Sequence, residues 1–335
     1  MTSPIVQVRD LTKTFRIKSR SKGHELQLRA VDEVSFDIFE GETLGLVGES
    51  GSGKSTTGRM LIGSIPATNG SVALFGKVIT GPDGKANLET VRRRVQFVFQ
   101  DPMGSLNPRM TIGDSIAEPI DIAGGFSRKD RSDRIAELLE TTGLPRSSAT
   151  RYPHEFSGGQ RQRIVIARSL ALQPEFVVCD EPVSALDVSM QAQIVNLLRD
   201  LQDRFGLSYL FVAHDLAVVR SISHRVAVLY SGGIVEIATR ADLYSNPQHP
   251  YTRALLAAVP RMGVKRERPK SLAGEVSTIP ADVNGCRFAP RCPFVMEICR
   301  QMRPQLQNSG GTHHVACHLM SASAGGVADA MTASI

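Results

Sequence analysis

The chain of 335 residues has no tryptophan, and aromatic residues make up only 5% of it. The hydrophobic fraction of 41% suffices for one large domain with an appendage, or for two domains. No apolar run reaches the ~18 residues of a helical membrane span, which excludes an integral membrane helix. Met1 to Asp10 lacks the charged-then-apolar layout of a secretory signal, so the reading places the protein in the cytoplasm. Cysteine is sparse as well, with five in all, and in that compartment they are not expected to form disulfides. The formal net charge of +6 is too small to single out nucleic acid, an anionic membrane or a nucleotide as partner.

Against these absences, Gly48-Glu49-Ser50-Gly51-Ser52-Gly53-Lys54-Ser55-Thr56 is dense in chemistry. Gly, four residues, then Gly-Lys-Ser is the spacing of a phosphate-binding loop. Thr43 to Val47 before it reads as a buried strand, and the stretch from Lys54 to Ile62 can form a helix. This order has a physical reason. Glycines let successive backbone N–H groups point inward at phosphate oxygens, and the positive end of the following helix adds to that field. Lys54 can neutralise the β- and γ-phosphates, and the Ser55 hydroxyl can ligate Mg²⁺. Chance produces such a match in about 1% of chains of this length on average composition.

The remaining pattern is α/β. Ile5 to Val8, Val34 to Ile38, Ser71 to Ile79 and Val95 to Phe99 read as strands. Phe15 can stack on an adenine ring or pack as an ordinary aromatic. Arg16 to Arg29 reads as a solvated hairpin or loop, and Gly81 to Gly84 as a loop. Residues 101–173 have helical periodicity and read as a helical insertion into the core, within which Ser157 caps a helix running from about Gly159 to Leu172. Phe176 to Asp180 reads as a fully buried parallel strand, with Asp180 and Glu181 at its ligand-binding end. Adjacent residues at a strand end point to opposite faces, so these carboxylates take separate jobs rather than share a proton. His214 closes the strand Leu210 to Ala213 at the same edge. Arg225 to Tyr230 and Ile234 to Ala238 form a hairpin. Short helices follow from Thr239, then a linker over Met262 to Lys270, a compact Cys-rich segment over Gly285 to Leu319, and a disordered tail from Ser321.

Gly48 to Thr56, Gln100, Ser157-Gly158-Gly159-Gln160, Asp180-Glu181, Asp187 and His214 occur in this order. In order and spacing they resemble the ATP-binding-cassette (ABC) ATPases over about residues 5–260. Phe156 stands where that family often has Leu, a change of volume alone. The resemblance implies a P-loop cassette over 1–260, with a helical subdomain at about 101–173 and a Cys-rich C-terminal region over 261–320; residues 321–335 form the tail. It also implies roles. Phe15 stacks on adenine; Gly48, Glu49, Ser50, Gly51, Ser52, Gly53, Lys54, Ser55 and Thr56 hold the phosphates. Ser55, Gln100 and, through water, Asp180 hold Mg²⁺. Glu181 is the general base, and His214 contacts the γ-phosphate. Ser157, Gly158, Gly159, Gln160 and Asp187 act in trans, on ATP bound by another subunit. One copy then cannot complete a site, and two nucleotide-binding subunits, identical or different, must close around ATP.

Phe99 to Met110, His249-Pro250-Tyr251-Thr252-Arg253 and Gly285 to Pro293 further resemble the oligopeptide/dipeptide importer subfamily. That likeness implies an ATPase peripheral to the cytoplasmic face of the inner membrane. It would work with a second cassette, two transmembrane permease subunits and an extracytoplasmic substrate-binding protein, without nucleic acid. Some such relatives carry nickel or other small solutes. A soluble cassette protein acting on DNA or the ribosome is the competing class, but no persistent heptads and no second cassette are present. A redox or metal-sensing module would rest on the cysteines alone.

Cys286 and Cys292 are separated by five residues, Cys292 and Cys299 by six, and Cys299 and Cys317 by seventeen. This is neither zinc-finger nor ferredoxin spacing and leaves a zinc site, an iron–sulfur site or free thiols open. The subfamily resemblance implies a [4Fe–4S] cluster on all four. His313, His314 and His318 keep a mixed site open, and Cys179 reads as an inert core thiol.

Overall fold

The computed structural model describes residues 3–18, 25–258 and 284–322. Twelve strands are present among them: β1 Val6–Lys18, β2 Glu25–Ile38, β3 Thr43–Val47, β4 Asn69–Leu74, β5 Lys77–Val78, β6 Val95–Val98, β7 Phe176–Asp180, β8 Ser208–Ala213, β9 Arg225–Tyr230, β10 Gly233–Thr239, β11 Gln307–Gly310 and β12 His313–Val315. A four-stranded antiparallel sheet has the order β2-β1-β4-β5, and an eight-stranded mixed sheet the order β11-β12-β10-β9-β3-β8-β7-β6. Strands β9, β3, β8, β7 and β6 run parallel. In β3, β7 and β8 every position is buried, as expected for parallel strands covered on both faces. The pleat divides β7 between two cores. Phe176 and Val178 join the core toward the antiparallel sheet, and Val177 and Cys179 join the core toward the helices.

Residues 101–173 contain helices and no strand. Helix Ile112–Ala123 is capped by Thr111, helix Arg128–Thr141 carries a Ser127–Asp130 capping box, and helix Gly158–Ser169 carries a Ser157–Gln160 box. Ile116, Ile120, Leu138, Leu139 and Ile164 fuse this insertion to the core that contains Val98 and Val177.

The antiparallel strands are longer than the sequence pattern indicates. β1 and β2 pair from Val6↔Ile38 out to Lys18↔Glu25, so of the two readings of the stretch Arg16 to Arg29, hairpin or loop, its described residues are hairpin arms. The strand read over Ser71 to Ile79 is broken at Phe75-Gly76, both at positive φ, into β4 and β5. The expected linker over Met262–Lys270 lies outside the described residues, as does the tail beyond Ala322.

The Cys-rich segment is not a separate small domain in this fold. β12 pairs with β10 through Glu236↔Val315 and Ile237↔His314, extending the main sheet, and Phe288 belongs to the main core. Glu236 is buried at the seam. It accepts from the amides of Gln248 (2.7 Å) and His249 (2.9 Å) and meets His313 Nε2 at 2.7 Å. Burial opposes its charge, but these bonds outweigh it and hold the carboxyl below its usual range.

His249 beside it is 1% exposed, and its Nδ1 accepts from the Tyr251 amide at the start of helix Pro250–Ala257. Burial pushes its pKa down to about 4 from 6.5, with Glu236 pulling the other way. The unfolded chain therefore binds the extra proton first, so this contribution to stability is intact above pH 6.5 and is lost as pH falls toward 4. The loss amounts to about 3 kcal/mol. His249→Asn keeps a cap acceptor without the titration. Chemical denaturation at pH 7 and pH 4.5 is expected to show a smaller acid loss in this variant than in the unaltered chain.

Candidate active site

β3 delivers the chain to the loop Gly48–Thr56, and helix Lys54–Leu61 begins directly behind it. Gly53 sits at φ 103°, and a Cβ there would lie 2.2 Å from the Ala30 carbonyl oxygen. Only glycine lets the loop pass that backbone. The helix has no side-chain cap. Its first-turn N–H groups are thus available to an anion.

Lys54 is 4% exposed and folds back on the loop, donating to the carbonyls of Gly48 (2.8 Å) and Glu49 (2.9 Å). Burial lowers its pKa against the pull of Glu181, Asp180 and Glu49. An incoming polyphosphate would relieve that burial cost by supplying counter-charge.

The Ser55 hydroxyl donates to Asp180 Oδ1 at 2.7 Å. Asp180 is buried at the end of β7, and desolvation raises its carboxyl pKa, opposed by the Ser55 bond and by Arg59. A hydroxyl and a carboxylate at this separation are a hard-oxygen pair that suits Mg²⁺. Glu181 follows at φ 46°, a conformation rare for a residue with a side chain and one that gathers at functional sites. Its Oε2 accepts from Gln100 Nε2 at 3.1 Å and meets His214 Nδ1 at 3.2 Å. The segments that follow β6, β7 and β8 thereby meet at one carboxylate. A cleft of about 530 Å³ lies between this cluster and the loop, lined by Ser50, Gly51, Gly53, Lys54, Ser55 and Thr56 with Gln100, Glu181, His214 and Ala30.

Other expected site residues lie elsewhere. Phe15 sits on β1 opposite Leu28, is 36% exposed, and carries Lys13 Nζ 5.2 Å from its ring centroid. It does not line the cleft. Ser157 caps its helix by accepting from the Gln160 amide at 3.4 Å, while the Ser157 amide donates to Gln160 Oε1 at 3.0 Å. Asp187 caps helix Val188–Phe205 by accepting from the Met190 amide at 2.9 Å. Neither lines the cleft, and both Ser157 and Asp187 are exposed.

Sequence reading missed how the loop is held from the far end of the chain. The Tyr251 hydroxyl accepts from the Glu49 amide at 2.9 Å, and Arg291 pairs with the Glu49 carboxylate. The only local signals were the motif containing Tyr251 and the Arg just before Cys292.

The expected cluster on Cys286, Cys292, Cys299 and Cys317 is not supported by the geometry. Among the described residues, no group of three or more His, Cys, Asp or Glu is arranged to hold a metal ion. The four thiols do lie within electrostatic reach of one another. Burial pushes Cys317 up to about 11 against a backbone hydrogen bond at Leu319, and the other three thiols add to the rise. The histidines have other partners: His313 meets Glu236, His318 Nε2 meets the Met302 carbonyl, and His314 the Thr312 carbonyl. Cys179 is fully buried with its thiol pKa raised by desolvation, as expected of an inert core residue.

Residues 31–184 match the ABC transporter family, and residues 235–299 match the oligopeptide/dipeptide transporter C-terminal region. A Brucella abortus protein named as a peptide import ATP-binding protein is 61% identical over 94% of this chain and 94% of its own length. The oligopeptide transport ATP-binding protein AppF of Bacillus subtilis is 48% identical, covering 95% of this chain and 98% of itself. Among solved structures, the ATP-binding cassette MJ0796, a dimer in a post-hydrolysis state bound to ADP and phosphate, matches with TM-score 0.62 and 31% identity. The match covers 70% of this chain and 98% of that one.

Proposed function

This chain belongs to the ATP-binding-cassette transporter family, in its branch of peptide-import ATP-binding proteins, and from that premise we propose that its ATPase activity drives uptake of oligopeptides or dipeptides through a membrane importer. The observation that carries the reading is the convergence of Lys54, the Ser55–Asp180 pair and the Gln100–Glu181–His214 cluster on one cleft.

In this reading the loop amides and Lys54 bind the β- and γ-phosphates, and Phe15 takes the adenine. Ser55, Gln100 and, through water, Asp180 would hold Mg²⁺, which would neutralise charge building on the phosphates. Glu181 accepts a hydrogen bond from water and takes its proton as the water oxygen bonds to the γ-phosphorus and the bond to ADP breaks. His214 steadies Glu181 and reaches the γ-phosphate. Ser157, Gly158, Gly159, Gln160 and Asp187 lie outside their own cleft because they serve the cleft of a second cassette. The dimeric, product-bound cassette at 31% identity supports that arrangement.

No described helix is long and apolar enough to cross a membrane. The reading therefore includes two permease subunits that do cross it, with this chain peripheral on the cytoplasmic face of the inner membrane and a binding protein delivering substrate from outside. ATP-energised membrane vesicles carrying the assembled importer are expected to accumulate labelled oligopeptide and to stop when Glu181 is changed to Gln. Accumulation of nickel without peptide would reassign the substrate, and co-purification with ribosomes without membrane subunits would remove the importer reading.

A [4Fe–4S] cluster on Cys286, Cys292, Cys299 and Cys317 stays in the proposal on donor chemistry: four thiols gathered in one segment are the donor set such clusters use. Anaerobic purification is expected to give iron and sulfide at about four each per chain. A colourless preparation holding zinc alone, or no metal, contradicts it.

A further inference from the structure

The Cys-rich segment reaches into the phosphate loop. Arg291 ends the short turn Ala289–Arg291 and grips both oxygens of Glu49, with Nη1 to Oε2 at 2.8 Å and Nη2 to Oε1 at 3.1 Å. The Arg291 side chain is only 8% exposed, and its guanidinium carbon lies 5.8 Å from the centre of the Tyr230 ring. Tyr251 holds the Glu49 amide from the other side. Tyr230, Tyr251 and Phe288 pack on one another with ring centres 4.7 to 5.5 Å apart, so the platform carrying Arg291 is rigid.

The placement has an electrostatic consequence. Glu49 stands inside a loop whose work is to attract a polyanion, and an uncompensated carboxylate there opposes that work. A fork of two charge-assisted bonds both cancels the charge and fixes the side chain. Within the loop, Lys54 attracts the Glu49 carboxylate only through space, and its hydrogen bond to Glu49 goes to the carbonyl, so it does not fix the side chain.

We propose that Arg291 is a positioning residue of the nucleotide site: it neutralises Glu49 and holds the phosphate loop in its binding shape, so the C-terminal segment sets the affinity for nucleotide. The proposal rests on the nucleotide reading above, and its test separates the two. Binding of a non-hydrolysable ATP analogue with Mg²⁺ is measured by calorimetry on the full chain and on Arg291→Ala, Glu49→Gln and the double variant. Arg291→Ala is expected to weaken binding about tenfold, the scale of a lost bond between charged groups. In the Glu49→Gln background the same change is expected to cost under about twofold, because the charge to be cancelled is gone. A merely structural arginine would cost the same in both backgrounds, and that result overturns the proposal, as does unchanged binding in Arg291→Ala. If Arg291→Ala does not fold, Arg291→Lys, which keeps the charge and loses the fork, is carried through the same pair of backgrounds. There the same dependence on Glu49 is expected, and its absence is equally fatal. Failure of the unaltered chain to bind the analogue removes the nucleotide reading and the proposal together.

Discussion

Glu181→Gln is expected to lower the rate of ATP hydrolysis by about 10²- to 10⁴-fold, the range for loss of a general base, while ATP binding is retained or tightened. Among the described residues, Glu181 is the only carboxylate that meets both Gln100 and His214 in the cleft. The amide is isosteric and its oxygen can still accept from Gln100, so the cleft keeps its shape. It cannot take a proton from water. It also removes a negative charge near the place proposed for the γ-phosphate, so ATP and the closed dimer should accumulate. Gel filtration with ATP reads the dimer, and phosphate release reads the chemistry. Ordinary turnover would take Glu181 out of its proposed role.

The second large effect is expected from Ser157→Asp. Most changes at this position confuse two losses, because Ser157 also caps helix Gly158–Ser169, and loss of a cap costs about 1 kcal/mol. Aspartate is as good a cap as serine, so folding stability should be kept. In the proposed dimer, however, it would set a carboxylate against the γ-phosphate on the facing subunit. Two like charges about 4 Å apart at an interface repel by about 4 kcal/mol, or about 10³-fold. ATP-driven closure and hydrolysis should both fail at unchanged melting temperature.

Some of this was legible in sequence for identifiable reasons. The phosphate loop is local: strand, glycine turn and helix are contiguous, and β3 and the helix start at Lys54 lie where the pattern puts them. β7 announces itself because both its faces are buried, so its apolar run is unbroken. The full length of the β1–β2 pairing does not. Register shifts between Val8 and Leu11, Leu11 and Lys13, and Lys13 and Thr14, with Asp10 and Glu33 at positive φ, break the alternation that marks a strand. The pairing of β12 with β10 and the Arg291–Glu49 fork join residues far apart in the chain, the latter 242 positions apart. Periodicity within a window carries no information about such partners.

The central claim is that the cleft is one half of a catalytic site and that Ser157 belongs to the other half. It is tested most directly by the hydrolysis rate per chain of a preparation held monomeric, compared with the assembled complex, each with and without Ser157→Asp. The account predicts a nearly inactive monomer that the substitution leaves unmoved, and an active assembly that it silences. A monomer hydrolysing ATP at the assembled rate, indifferent to Ser157, would contradict it.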